Sequence, residues 1–312
     1  MNHPYASVTY AAIKQLLLNR LQAALGLYVP DASVLKQRNR HISLHRAKDN
    51  PRLLYVCAIA LQLSGVKNIP PLEIANAIAT LVRQLESRTE AHPTCNFTVQ
   101  VVPPGWIHLE LTEPAIAAWL QRLSSPPNPQ RGPRQLSRRR GAPPHNGAPV
   151  PPAHLPFCPS SSRLFAVQYA HARCCSLVQM AHREGLITLK EPDHRNGEAI
   201  FCVVAPDPIP WLTLDQKLRF CHPAERAMIA QVLGLLDDLY CPSPSRQPIE
   251  WEKAALSLSQ SFQTFYSCCR IWGEVKVQTI HLAQARLGLV MATQQVLRLL
   301  LQQLGVSAPL EL

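Results

Sequence analysis

FAVQYAHARCCSL, residues 165–177, decides how the second half of this chain is read. From here to residue 181, Val167, Ala170, Cys174, Leu177, Val178 and Ala181 recur at three- and four-residue spacings, which predicts one apolar stripe along a helix. Gln168, His171 and Arg173 fall on the other faces. His222-Pro223 opens a second helix through Ile229, Val232, Leu233 and Leu236. A third, over 249–271, carries Leu258, Phe262, Phe265 and Cys269 at spacings of four, three and four. The last, about 278–304, stops at Gly305. Between the first two, residues 186–221 hold Asn196-Gly197 and the run AIFCVV, which predicts a small hairpin insertion. Residues 164–312 therefore read as an all-α helical bundle.

Charge and proline divide the rest. Of the formal net charge of +11, none lies in residues 164–312, where 13 Lys/Arg balance 13 Asp/Glu. Residues 1–123 hold 12 Lys/Arg against 7 Asp/Glu, and residues 124–163 hold 6 Arg with no acid. That middle segment carries 11 of the 29 prolines and few apolar residues to repay the entropy of ordering it, so it is expected to be a disordered Pro/Arg-rich linker. As a flexible coil it would reach roughly 35 Å. Arg138, Arg139 and Arg140 are either a phosphate-contacting cluster or a charge run that keeps the linker solvated.

Residues 1–123 read as an α+β domain. Helical spacing over 5–25 (Val8, Ile13, Leu16, Leu17, Leu21, Ala24) ends on Gly26, and a second helix is expected over 52–64. A third begins at Pro71 with Ile74, Ile78, Leu81, Val82 and Leu85 on one face. FTVQVV and WIHLEL, separated by Pro-Pro-Gly, predict a hairpin, and EPAIAAWLQRL a closing helix. Trp106 in this hairpin is either a nucleotide-stacking position or turn packing. Ten cysteines without a Cys-x-x-Cys argue against structural zinc and for small buried hydrophobes. No signal peptide is expected, because Lys14 and Arg20 interrupt the apolar positions near the start, and VLRLLL (296–301) is too short to span a bilayer. A soluble, cytoplasmic protein is the expectation.

FAVQYAHARCCSL, SQSFQTFYSCCRI and ARLGLVMATQQVLRLLLQQLGVSAP occur in the order in which arginyl-tRNA synthetases carry Y-V-Q-Y-A-H-A-R, A-F-x-x-F-Y-x-x-C-R, then R-L-x-L-V-x-A and L-G-I-x-A-P. Residues 164–312 thus resemble the helical, DALR-type anticodon-binding domain of that family. The resemblance implies anticodon-stem contacts from Tyr169, His171, Arg173, Phe265, Tyr266, Arg270 and Arg286. IPPLEIANAIATLV followed by FTVQVVPPGWIHLELTEPAIAAWLQRL resembles the family's N-terminal additional domain, which packs on the tRNA elbow. By that likeness Tyr55 and Trp106 join the candidate RNA contacts. Where the family reads G-D-Y-x-x-N, Leu53, Leu54, Tyr55 and Ala58 leave only the tyrosine, and Leu312 stands where the family has a terminal Met.

The catalytic centre of such synthetases needs H-I-G-H and K-M-S-K-S signatures. HISLHR (41–46) is one residue too long and lacks the glycine, and no Lys-Met-Ser run exists. The proline-rich segment stands where the catalytic domain would be. Asp237 and Asp238 are adjacent on a helix and point apart, and His41 and His45 have no third metal ligand in view, so no catalytic residue, metal or cofactor is assigned. The sequence reads as a non-catalytic, synthetase-like protein that binds tRNA, an arginine tRNA first. Two alternatives stand beside it: a protein-interaction factor on the same domains, and a tRNA-binding partner in trans for a separate arginine–tRNA ligase subunit.

Overall fold

The computed structural model describes residues 12–29, 42–47, 52–88, 96–125, 160–190, 201–242 and 249–312. The proline-rich segment, Arg138–Arg140, His41 and the Asn-Gly pair lie outside these residues.

Helix α1 (Ile13–Tyr28) buries Ile13, Leu17, Leu21, Ala24 and Leu25. It does not stop at Gly26: buried Leu25 and Val29 carry the packing face one turn further. Strands β1 (Leu44–Arg46) and β2 (Leu54–Cys57) follow, then α2 (Ile59–Lys67) and α3 (Pro71–Arg88). The helix expected over 52–64 is therefore corrected to a strand and a later helix. The run LLYVCAIAL is apolar throughout, so its period could not separate the two. In the sheet, alternate residues Tyr55 and Cys57 are buried, the mark of a strand.

The hairpin forms as expected, β3 (Phe97–Val102) pairing with β4 (Trp106–Leu111), Val102 opposite Trp106. It is half of a four-stranded antiparallel sheet in the order β1-β2-β4-β3 rather than a lone hairpin. Helix α4 (Glu113–Ser124) is capped by the Thr112 hydroxyl, which accepts from the Ala115 N–H at 3.3 Å.

The second half is mostly helical: α5 (Ser160–Arg183), α6 (Pro223–Tyr240), α7 (Trp251–Cys268), the short α8 (Glu274–Gln278) and α9 (Ile280–Gln303). Two short strands, β5 (Thr188–Leu189) and β6 (Val203–Ala205), pair antiparallel between α5 and α6. Helix α9 is buried along nearly its whole length and packs on α5, α6, α7 and, from the first half, α4. Gly305 closes it with φ +69, so that the Val306 and Gly305 N–H groups reach back to Leu301 and Gln302 carbonyls at 2.9 and 3.1 Å.

The two halves share one hydrophobic core. At their junction the Lys14 N–H donates to Asp237 Oδ1 at 2.9 Å, and the Tyr55 hydroxyl bonds the other carboxylate oxygen. Gln121 Oε1 accepts from the Ile209 N–H at 3.0 Å and the Trp211 indole N–H at 2.8 Å. Glu113 accepts from Arg226 at 2.7 Å and from the Leu218 N–H at 2.7 Å. Burial alone would raise the Glu113 pKa, but those donors outweigh it and hold the carboxyl below its ordinary range. Burial pushes Asp237 up to about 6, against the opposing pull of Tyr55 and Lys14. Asp238, its neighbour, is only partly buried, so the two carboxylates do separate.

Candidate nucleic-acid interface

Helix α5 turns Val167, Ala170, Cys174, Leu177, Val178 and Ala181 inward, the stripe expected from the sequence. Positions 165, 169 and 173 are one turn apart and share a face. On it Phe165 is 56% exposed and Tyr169 is 49% exposed, with Arg173 open beside them. Arg173 reaches across to α7: its Nη2 donates to the Tyr266 hydroxyl at 3.3 Å, and its guanidinium carbon lies 5.3 Å from the centre of that ring. Tyr266 in turn stacks on Phe262 at 6.1 Å between centroids. Just past the end of α7, Arg270 is exposed. Aromatic faces with interleaved guanidinium groups suit single-stranded bases and phosphates. Phe165 is missing from the sequence-based set, although the successive four-residue spacings from Phe165 to Tyr169 and from Tyr169 to Arg173 are the signal for it.

Three of the candidates on this half face inward. Phe265 is fully buried in the α7 stripe. His171 is 1% exposed, and burial lowers its pKa. As a neutral ring its Nδ1–H donates to the Pro309 carbonyl at 2.8 Å, and Nε2 accepts from Gln294 at 2.8 Å, a tautomer assigned from these partners. Together with Gln168, whose amide donates to the Ser307 carbonyl at 3.0 Å, His171 lashes residues 305–312 along α5. Arg286 is 9% exposed and pairs with the fully buried Glu225 at 2.6 Å.

Of the two candidates on the first half, Trp106 stands 37% exposed on β4, whereas Tyr55 has no exposed surface and is committed to Asp237. A side chain without accessible surface offers nothing to RNA in this conformation. His45 is exposed and bonds the Ser43 hydroxyl at 2.8 Å. The eight described cysteines are free, and burial raises Cys175 to about 12, so that thiol is inert packing. Among the described residues no helix is long and apolar enough to cross a membrane.

Residues 167–312 match the family model of the DALR anticodon binding domain. The second half is similar to DALR anticodon-binding domains. Arginine–tRNA ligases are similar to it: that of Synechococcus sp. (strain JA-3-3Ab) is 35% identical over 144 residues, 46% of this chain and 21% of the relative. The ligase of Heliobacterium modesticaldum is 31% identical over 150 residues, 48% of this chain and 23% of the relative. That of Gloeobacter violaceus is 32% identical over 145 residues, 46% and 21%. The chain thus spans about a fifth of the length of the curated relatives it matches. No solved structure is a significant match. Within residues 167–312, Tyr169, Arg173 and Arg270 are exposed and Tyr266 is half-buried, while His171, Phe265 and Arg286 are buried.

Proposed function

We propose that this chain binds tRNA, an arginine tRNA first, and does not aminoacylate it. The observation that carries this reading is the open aromatic–guanidinium face of α5 and α7, on a domain whose relatives are arginine–tRNA ligases. Tyr169, Arg173, Tyr266 and Arg270, with Phe165, contact the anticodon stem. Trp106 contributes from the first half, and Arg138–Arg140 run along the phosphate backbone. The chain works as two domains, 1–123 and 164–312, joined by the basic segment 124–163 and acting in the cytoplasm. The shared core supports a binder of fixed geometry over two modules swinging on a tether. The absence of H-I-G-H and K-M-S-K-S runs from these 312 residues supports the non-catalytic part.

The equal numbers of cations and anions over 164–312 favour a second reading, in which the face takes a protein, including a separate catalytic subunit that receives the tRNA in trans. A pull-down of total cellular tRNA on the purified chain, with sequencing of what is retained, separates the readings. Enrichment of arginine tRNAs supports the first. Absence of retention at modest salt overturns it in favour of a protein partner. Arginine-dependent ATP–pyrophosphate exchange by the pure chain would overturn the non-catalytic part.

A further inference from the structure

Arg270 has to be held by something other than its helix. Helix α7 ends at Cys268 and is capped at Cys269, so the peptide at Arg270 belongs to no ladder. Its carbonyl accepts from Arg286 Nη1 at 2.6 Å. The same guanidinium donates through Nε to Glu225 Oε1 at 2.6 Å. Glu225 is itself fixed, because its other oxygen accepts the His222 N–H at 2.7 Å in the capping box of α6.

An ion pair buried this deeply is a poor choice for stability alone, since apolar residues of similar volume hold helices together without desolvating two charges. What it supplies is direction. A guanidinium is a planar fork with donors at fixed angles. Once Glu225 engages the Nε edge, Nη1 can serve the Arg270 carbonyl and little else. The order of support runs from the α6 cap to Glu225, to Arg286, to the backbone of Arg270, and out to an exposed guanidinium.

We propose that Arg286 is a positioning residue that touches no RNA itself: it fixes the backbone at Arg270 so that the Arg270 side chain meets an RNA phosphate beyond the end of α7. The proposal rests on the RNA-binding reading above. The probe is an in vitro transcribed arginine tRNA, titrated with the full chain at several salt concentrations. Arg270→Ala is expected to weaken binding about tenfold and to lower the slope of log affinity against log salt by about one. Arg286→Lys keeps the charge but not the fork, and is expected to reproduce both effects. The double variant is expected to bind no more weakly than Arg270→Ala. In the RNA-free chain, amide hydrogen exchange over 269–272 is expected to quicken in Arg286→Lys.

An Arg286→Lys chain with the full salt slope would overturn the proposal. So would an additive double variant, which would put Arg286 on the RNA directly, or unchanged exchange over 269–272. Should Arg286→Lys not fold, Glu225→Gln replaces it and is expected to move the same readouts in the same direction. If the unaltered chain retains no tRNA, the RNA-binding reading falls, and with it the phosphate contact. The exchange measurement still decides whether Arg286 orders the segment.

Discussion

The hydroxyl of Tyr55 hydrogen-bonds the carboxylate of Asp237, 182 positions further along the chain. Both side chains are withdrawn from solvent, and the Lys14 N–H completes the arrangement. A carboxylate on an otherwise apolar helix face is thereby satisfied from the other half of the molecule. This contact ties the sheet to the bundle.

The tie should respond to pH. Asp237 has a folded pKa of about 6 against 3.8 for the free group. A raised folded value means that its stabilising contribution is complete below the unfolded value and is lost as pH rises through about 6. A gap of about two units corresponds to about 3 kcal/mol. Asp237→Asn keeps an acceptor for Lys14 and does not titrate. Relative to it, the unaltered chain should lose about that much stability between pH 4 and pH 7, read by urea unfolding of both at each pH.

Gln121 offers one oxygen to two donors of the other half. Gln121→Ala should strand the Trp211 indole N–H and the Ile209 N–H, at a cost of about 1–3 kcal/mol. Gln121→Glu retains the acceptor and should lose less. Thermal melts of the pair give the answer, and equal losses would show that the oxygen is not what matters.

Helix α9 has no room for a methyl group at Gly288. A Cβ there would lie 2.9 Å from Trp211 Cζ2 and 3.0 Å from Ile209 Cδ1. Gly288→Ala should displace the indole and cost about 1–3 kcal/mol. Combining it with Trp211→Phe, which withdraws the crowded ring, should cost less than the sum of the two single changes. Strict additivity in unfolding experiments would refute the clash.

On the open face, charge and aromatic surface should separate by salt. Arg173→Ala is expected to weaken tRNA binding and to reduce its salt slope by about one. Phe165→Ala and Tyr169→Ala remove no charge and should weaken binding with the slope unchanged. Being exposed, all three should leave stability within about 0.5 kcal/mol. Filter binding across a salt series reads both quantities.

His171 anchors the last residues. Burial lowers its folded pKa below 6.5, so its contribution is present above the unfolded value and is lost as pH falls through the folded one. His171→Ala should cost about 1–3 kcal/mol by leaving Gln294 and the Pro309 carbonyl without their partner. It should also quicken hydrogen exchange over 305–312 at pH 7. In the unaltered chain the same quickening should appear only on acidification.

The helices of the second half were legible from the apolar stripes of α5, α6 and α7 and from a clear start or stop, as at His222-Pro223 and Gly305. The stripe over α7 already placed Phe265 inward, in conflict with its place in the family motif, and the stripe was the better guide. A motif records which residues recur and not which way they point, so His171 and Arg286 could not be told from Tyr169 and Arg173. The strand β2 was hidden in an apolar run of uniform polarity. The docking of the halves depends on partners from 88 to 223 positions apart. Its one trace in the sequence is Asp237, an acid four residues after Leu233 on a buried stripe.

A core built from both halves makes the integrity of the particle independent of the integrity of the backbone between them. A protease that cuts once between residues 125 and 160 should leave two fragments that still elute as one species from a sizing column. They should part only under denaturant. Two genes, one for each fragment, should then yield a working heterodimer when expressed together and insoluble products when expressed apart, because each fragment alone would bare the apolar surface that the other covers.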